Sequence, residues 1–392
     1  KKGHIGNGRS SISEKQADDV IEVDCEEKVC PNCAANLEGM GSRDRSVLDI
    51  DPPKIKKVVY KLKRSRCPKC GCNFRAKPPG VLPKFLFSNK LLAYLASEHY
   101  LHNRTMGKLE KLTGINKGSL IDGMHHLGKV FDRVPEKLIN SYRQSLVKHA
   151  DETSWRNDGQ NGYAWLFCTS DISIFRLRKS RSSKVPKEVF GNKDLPGVLV
   201  VDRYNGYNKS PCKIQYCYAH LLRNVQDLTK EFPNNSEIQS FVETVAPLLS
   251  KAMGLRSKDI ADDEFKKRTK KLKSSITNTM NKEANHPGIQ KIQNIFRENK
   301  HRLYHWSNER RIPADNNFCE RELRQLVIAR KISFGSQSDE GAKTREILMT
   351  VLLTLQKQYP ENPMEIFKKC LDEIKSNPDK DVYKIFFPYD TS

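Results

Sequence analysis

The sequence predicts a multidomain chain of mixed α+β and α/β class. It divides into a small zinc ribbon, a helical region with a helix-turn-helix, and an α/β domain around a mixed sheet. Three observations predict this: two C-P-x-C pairs, a helix–glycine turn–helix pattern over 105–121, and strands that end in aspartate. At roughly 100–200 residues per domain, the 392 residues allow two to four domains.

The zinc ribbon rests on Cys30-Pro31-Asn32-Cys33 and Cys67-Pro68-Lys69-Cys70. Each tight C-P-x-C turn aims two thiolates at one point, and four thiolates suit tetrahedral Zn²⁺. Val58-Val59-Tyr60-Lys61-Leu62 alternates like a strand leading into the second pair. Cys25 and Cys72 lie close enough to compete as ligands. Cys168, Cys212, Cys217, Cys319 and Cys370 are scattered and read mostly as small buried hydrophobes.

Pro78-Pro79-Gly80 and Pro83 then make a linker. Beyond Ser88, a plausible helix cap, Leu91, Leu92, Leu95 and Ala96 recur at helical spacing. Thr105–Leu112, Thr113-Gly114-Ile115-Asn116 and Lys117–Ile121 follow as helix, turn and helix, a pattern whose second helix can enter a major groove. Packing support for the following domain is the competing reading.

The α/β domain opens with Leu146–Trp155, read as a strand ending in Asp151, followed by strands over 164–169 and 172–177. Their short connections predict antiparallel hairpins. After a helical stretch near Lys184–Phe190, Val198-Leu199-Val200-Val201 ends in Asp202 and reads as a buried parallel strand. Ile214–Cys217 is a fifth short strand. A carboxylate at the C-terminal end of such a strand sits where open α/β sheets bind ligands. Asp151 and Asp202 side by side repel unless a cation lies between them, and hard divalent ions favour such oxygen sites. A third acid comes from the helix beginning near Asp315-Asn316, where Glu320 and Glu322 are rivals about 200° apart around the axis. Arg321, Arg324, Arg330 and Lys331 give that helix a basic edge suited to phosphates.

Charge points the same way. With 69 Lys+Arg against 47 Asp+Glu the net charge is +22, which suits a polyanionic partner. Residues 54–90 hold twelve Lys or Arg and no acid, among them Lys61, Lys63, Arg64, Arg66, Lys69 and Arg75; with Lys117 these are the candidate DNA contacts. No apolar run reaches the ~18 residues of a membrane helix, and the start carries no signal-peptide pattern. A cytoplasmic, nucleoid-associated protein is expected. No P-loop or G-x-G-x-x-G motif is present, which argues against nucleotide-dependent enzymes.

Several blocks together resemble the DDE transposases of the insertion-sequence sixty-six family. They are Gly3–Arg9, the C-P-x-C pairs, Thr105–Leu120, Asp151–Trp155, Val201–Tyr207, Cys217–Arg223, Asn317–Arg324 and Arg330–Phe334. The resemblance implies a ribonuclease H-like catalytic domain with Asp151, Asp202 and Glu320 as a triad holding Mg²⁺ or Mn²⁺. It thereby selects Glu320 over Glu322. It also implies a helical insertion between Asp202 and Glu320, which the Lys-rich, helically periodic residues 236–302 fit. Cys217-x-x-His220 offers half a metal site with no second pair nearby; related transposases carry a similar pair, and the resemblance implies that it supports the triad from behind. The expected organisation is a lead-in at 1–28, zinc-binding domain at 29–80, helix-turn-helix-like domain at 86–142, catalytic domain at 143–232 and 303–360, insertion at 233–302 and tail at 361–392. The implied partners are double-stranded DNA (terminal inverted repeats and target), further copies of the chain, and accessory proteins. The alternatives are a transposase-derived DNA-binding regulator without catalysis and a nuclease of the same fold.

Overall fold

The computed structural model describes residues 14–16, 20, 54–66, 68–70, 72–377 and 380–387. The chain divides into two units, Lys1–Lys57 and Val58–Ser392. In the first, the described regular structure is one helical turn at Glu14–Gln16. Cys30, Cys33 and Cys67 lie outside the described residues, and Cys70 is exposed in a turn.

The second unit begins with two short antiparallel strands, β1 (Arg64–Arg66) and β2 (Asn73–Arg75), with Arg64 opposite Arg75. The strand expected at Val58–Leu62 does not form. Val58, Val59 and Tyr60 are exposed by 61%, 88% and 42%, and regular pairing starts only at Arg64. Alternation makes a strand only where a neighbouring strand takes its hydrogen bonds and a core takes its apolar face.

Four helices follow: α1 (Asn89–Tyr100), α2 (Met106–Thr113), α3 (Lys117–Val130) and α4 (Val134–Gln144). Ser88 caps α1 as expected, its Oγ accepting the Leu91 N–H at 3.2 Å. The α2–α3 turn depends on Gly114, which takes a left-handed φ of 69° to end α2. Asn116 then caps α3 through the Gly118 N–H at 2.8 Å.

Strands β3 (Val147–Asn157), β4 (Gln160–Cys168) and β5 (Ser173–Arg178) form the predicted antiparallel meander. After α5 (Lys184–Phe190), β6 (Val198–Val201) pairs parallel to β3, and β7 (Lys213–Tyr216) pairs parallel to β6. The sheet order is β5-β4-β3-β6-β7, a mixed five-stranded sheet compatible with a ribonuclease H-like fold. Gly197 lets β6 come alongside β3. A Cβ at this residue would lie 2.2 Å from the Leu146 carbonyl oxygen, and its φ is +75°.

The segment between β7 and the candidate third acid is helical: α6 (Tyr218–Glu231), α7 (Ser236–Leu255), α8 (Asp262–Asn281), α9 (Pro287–Glu298) and the single turn α10 (His305–Asn308). Helix α11 (Asn317–Ser333) returns to pack on β3 and β4. Helix α12 (Asp339–Gln358) is the hub, packing against β5, α1, α3 and α4. Residues expected to form a C-terminal tail contain α13 (Pro363–Ser376) and α14 (Val382–Phe386). Their Phe367 and Phe386 pack around Phe131 in the core.

Helix α12 also solves the exposed edge of β5. Ser173 N–H donates to Thr354 Oγ1 at 3.1 Å, Phe175 N–H to Thr350 Oγ1 at 3.0 Å, and Leu177 N–H to Glu346 Oε2 at 3.0 Å. Four residues along a helix advance about 6.0 Å and two along a strand about 6.8 Å, so the acceptors keep step with the donors. An open strand edge is thereby covered by a helix.

Candidate active site

Register brings the first two acids together. In the parallel β3–β6 pair His149 faces Val200, so two residues further on Asp151 comes level with Asp202. Asp202 immediately follows β6, as read from the sequence. Asp151 departs from its expected strand-end position, because β3 continues to Asn157. That continuation pairs with β4 alone; toward β6 the pairing stops at His149, so Asp151 still lies at the edge of the parallel part.

Each carboxylate is anchored by backbone. The Glu152 N–H donates to Asp151 Oδ1 at 2.9 Å, and the Tyr204 N–H donates to Asp202 Oδ1 at 2.9 Å. The chain then makes a helical turn at Asn205–Tyr207, with Tyr207 buried.

Asn316 ties α11 to the strand that carries Asp151. Its Nδ2 donates to the Ala150 carbonyl at 2.9 Å, which fixes the amide so that Oδ1 accepts from His149 Nδ1 at 2.8 Å. His149 and Asp151 share one face of β3, since alternate residues point the same way. Glu320 lies one helical turn past Asn316, its N–H donating to the Asn316 carbonyl at 3.1 Å. Helix α11 thus brings Glu320 to Asp151. Asp315 caps the helix start by accepting the Asn317 N–H at 3.0 Å.

Glu322 points elsewhere. It pairs with Lys357 Nζ at 2.6 Å and accepts from Ser173 Oγ at 2.8 Å.

The electrostatics record the crowding. Burial, then the charge of Glu152, and further the charges of Asp202 and Glu320 push the Asp151 carboxyl up to about 8, against the Glu152 N–H bond. Glu152 itself is locked: Tyr207 Oη–H donates to its Oε2 at 2.5 Å, and Arg181 donates to its Oε1 at 2.6 Å. Arg181 also stacks over the Tyr204 ring, 4.2 Å from its centre.

On the other side of Glu320 stand Cys217 and His220 at the start of α6. Cys217 is buried; its Sγ accepts the Asn316 N–H at 3.1 Å. His220 Nδ1 lies 3.7 Å from Glu320 Oε1, and both atoms are buried without a hydrogen-bond partner among the described residues.

The donor set suits a hard divalent cation. Asp202 and Glu320 lie near enough for their charges to act on Asp151, whose proton affinity is far above normal. Mg²⁺ or Mn²⁺, which favour carboxylate oxygens, would relieve that repulsion.

The predicted basic residues divide. Arg321, Arg324 and Lys331 are exposed, as are Lys61, Lys63, Arg64, Arg66, Lys69 and Lys117. Arg330 is instead tied to β3, donating to Thr153 Oγ1 at 3.0 Å and the Ser154 carbonyl at 2.6 Å. Arg75 lies in β2. Beyond its exposed first turn, α3 packs on α12, with Leu120, Met124 and Leu127 buried and His125 bonded to Thr344 at 2.7 Å.

Sequence reasoning missed Asn316 as a bridge, and the lock on Glu152. The Tyr204–Tyr207 motif hinted at the lock. Nothing local distinguished Arg181 within its basic run.

Comparisons with known proteins bear on the family. Residues 27–71 match the zinc-finger binding domain of transposase IS66. Two proteins of Sinorhizobium fredii are similar, both described as uncharacterized. Protein y4qI is 23% identical over 401 residues, covering 90% of this chain and 72% of its own length. Protein y4jD is 21% identical over 395 residues, covering 85% and 72%. Residues 84–344, more than half of the chain and the whole of the candidate site, match the family described as Transposase IS66 family, and the chain belongs to that family.

Proposed function

We propose that the chain is a DNA transposase that cleaves at transposon ends and transfers the freed 3′ strand to target DNA. Asp151, Asp202 and Glu320 are read as the metal-holding acids. The observation that supports this reading is that Asp151, level with Asp202 across the β3–β6 pair, is driven up to about 8 by burial, by Glu152 and further by the charges of Asp202 and Glu320. When bound there, Mg²⁺ or Mn²⁺ supplies an activated water and charge stabilisation for phosphoryl transfer.

The chain's own residues fix and guard that point. The Glu152 and Tyr204 amides hold Asp151 and Asp202 in place. Asn316 holds α11 against β3 and so sets the position of Glu320. Arg181 and Tyr207 engage both oxygens of Glu152, which keeps it from competing as a ligand. Arg321 adjoins Glu320, and Arg324 lies one turn beyond it on the same side; both are exposed and suited to DNA phosphates flanking the reaction centre. Terminal-repeat recognition falls to the Cys30, Cys33, Cys67 and Cys70 zinc module, its basic flank and the exposed first turn of α3. Arg330 braces β3 more than it contacts phosphate.

The test is strand transfer on end-containing DNA with Asp202→Asn. Cleavage and joining should both fall by at least about a thousandfold, which corresponds to roughly 4 kcal/mol in the barrier. Undiminished joining in that variant sinks the assignment. A wild-type protein that cleaves but never joins ends would identify a nuclease.

A further inference from the structure

The pair beside Glu320 has chemistry that the triad does not use. Cys217 opens α6, His220 follows three residues on, and Glu320 meets them from α11. One ligand atom from each lies within 4.8 Å of the others.

We propose that Cys217, His220 and Glu320 form a binding position for a borderline divalent transition metal such as Zn²⁺, separate from the hard-cation position at Asp151 and Asp202 and sharing Glu320 with it. Donor chemistry argues first. Thiolate, imidazole and carboxylate together are the ligands of Zn²⁺ or Co²⁺, whereas Mg²⁺ takes oxygen and avoids sulfur. Three protein ligands also leave a fourth position open.

Unsatisfied atoms argue second. His220 Nδ1 and Glu320 Oε1 face each other at 3.7 Å, too far for a hydrogen bond, and neither has a hydrogen-bond partner among the described residues. Leaving a buried polar atom unpaired is costly, and an ion between them satisfies both. A simple His–Glu ion pair would leave the geometry short of contact and would not engage the thiol.

Third, the sulfur is held in place. Cys217 precedes the first turn of α6, and the Asn316 N–H donates to its sulfur at 3.1 Å, which fixes it beside His220 and Glu320. Binding there releases the thiol proton to solvent. The site stands on these three donors whether or not Glu320 takes part in phosphoryl transfer; if it does, an ion here engages a carboxylate that the reaction needs.

The test uses the full chain, stripped of metal by chelation and titrated with Co²⁺. Bound ions per chain are counted and the thiolate-to-cobalt absorption recorded. The C-P-x-C thiolates contribute equally to wild type and variants, so the readout is the difference. Cys217→Ser should bind about one ion fewer with an unchanged circular dichroism spectrum. His220→Asn should weaken that ion by about 10–100-fold. Equal stoichiometry with superimposable absorption in wild type and Cys217→Ser overturns the site. Should Cys217→Ser fail to fold, His220→Asn decides alone, and unchanged affinity for every ion overturns it. Asp202→Asn should keep this ion, and losing it there overturns a separate position. The catalytic reading fails on a different result, joining that survives Asp202→Asn.

Discussion

Asp151 should make the metal-free protein less stable than its composition suggests. Its folded carboxyl titrates near 8 against 3.8 in the unfolded chain, so the folded state holds a proton that the unfolded state has lost. Stability from this group is therefore present below pH 3.8 and lost as pH rises towards 8. Asp151→Asn should raise metal-free stability at pH 7 by about 2 kcal/mol, with the gain vanishing below about pH 4. Mg²⁺ should raise the melting temperature of the wild type but not of this variant. His149 works in the other direction. Burial, only partly offset by its bond to Asn316, lowers it to about 4 from 6.5. The unfolded chain gains a proton between those values that the folded chain refuses, so stability falls as pH drops from 6.5 towards 4. His149→Gln should flatten that acid limb in urea melts recorded across pH. The proposed acids were legible as candidates in the sequence, Asp202 because it follows a buried strand and Glu320 because it sits near a helix start. What separates Glu320 from Glu322 was not legible from spacing, because Glu322 is engaged by Lys357, a helix away. The lock on Glu152 was equally hidden, since Arg181 and Tyr207 reach it only after folding.

At the scale of elements, the periodicities that predict β3–β7, α1, α3 and α5 hold because each has a partner to bury its apolar side. Val58–Leu62 carries the same alternation but pairs with no strand among the described residues, and Val58, Val59 and Tyr60 are exposed. No local pattern announces how α12 seals β5, since Thr350 and Thr354 look like ordinary helix residues until the edge strand lies against them. Thr350→Val keeps the shape but strips the acceptor from the buried Phe175 N–H. It should cost about 1–3 kcal/mol in equilibrium denaturation, with Thr350→Ser retaining most of the wild-type stability. Glu346 raises the stakes one turn earlier. It is 1% exposed, pairs with Arg176 at 2.9 Å and Arg178 at 2.7 Å, and accepts the Leu177 N–H. Glu346→Ala would leave Arg176, itself 2% exposed, with the exposed Glu136 as its one carboxylate among the described residues. That loss should cost about 3–5 kcal/mol, more than the Thr350 change, because a buried charge is stripped of its buried partner.

Over the whole molecule, part of the +22 charge sits on α8. On α8, Arg268 pairs with Glu264 and Lys273 lies over the Tyr304 ring, so both are engaged. Lys266, Lys267, Lys270 and Lys271 are exposed and have no ion pair among the described residues. Positions 266, 267, 270 and 271 fall on one side of a helix, since three- and four-residue steps return to the same face. Four like charges held together repel, and that cost is recovered when a phosphate backbone displaces its counterions towards them. Replacing all four by Gln should weaken binding to end-containing DNA. It should also flatten the dependence of log affinity on log salt by about 0.9 for each phosphate that is no longer neutralised. Fluorescence anisotropy at several salt concentrations measures both. Sequence preference should stay unchanged, because phosphate contacts position DNA without reading it. A slope identical to the wild type's would mean that α8 lies off the DNA path and that its charge serves solubility alone.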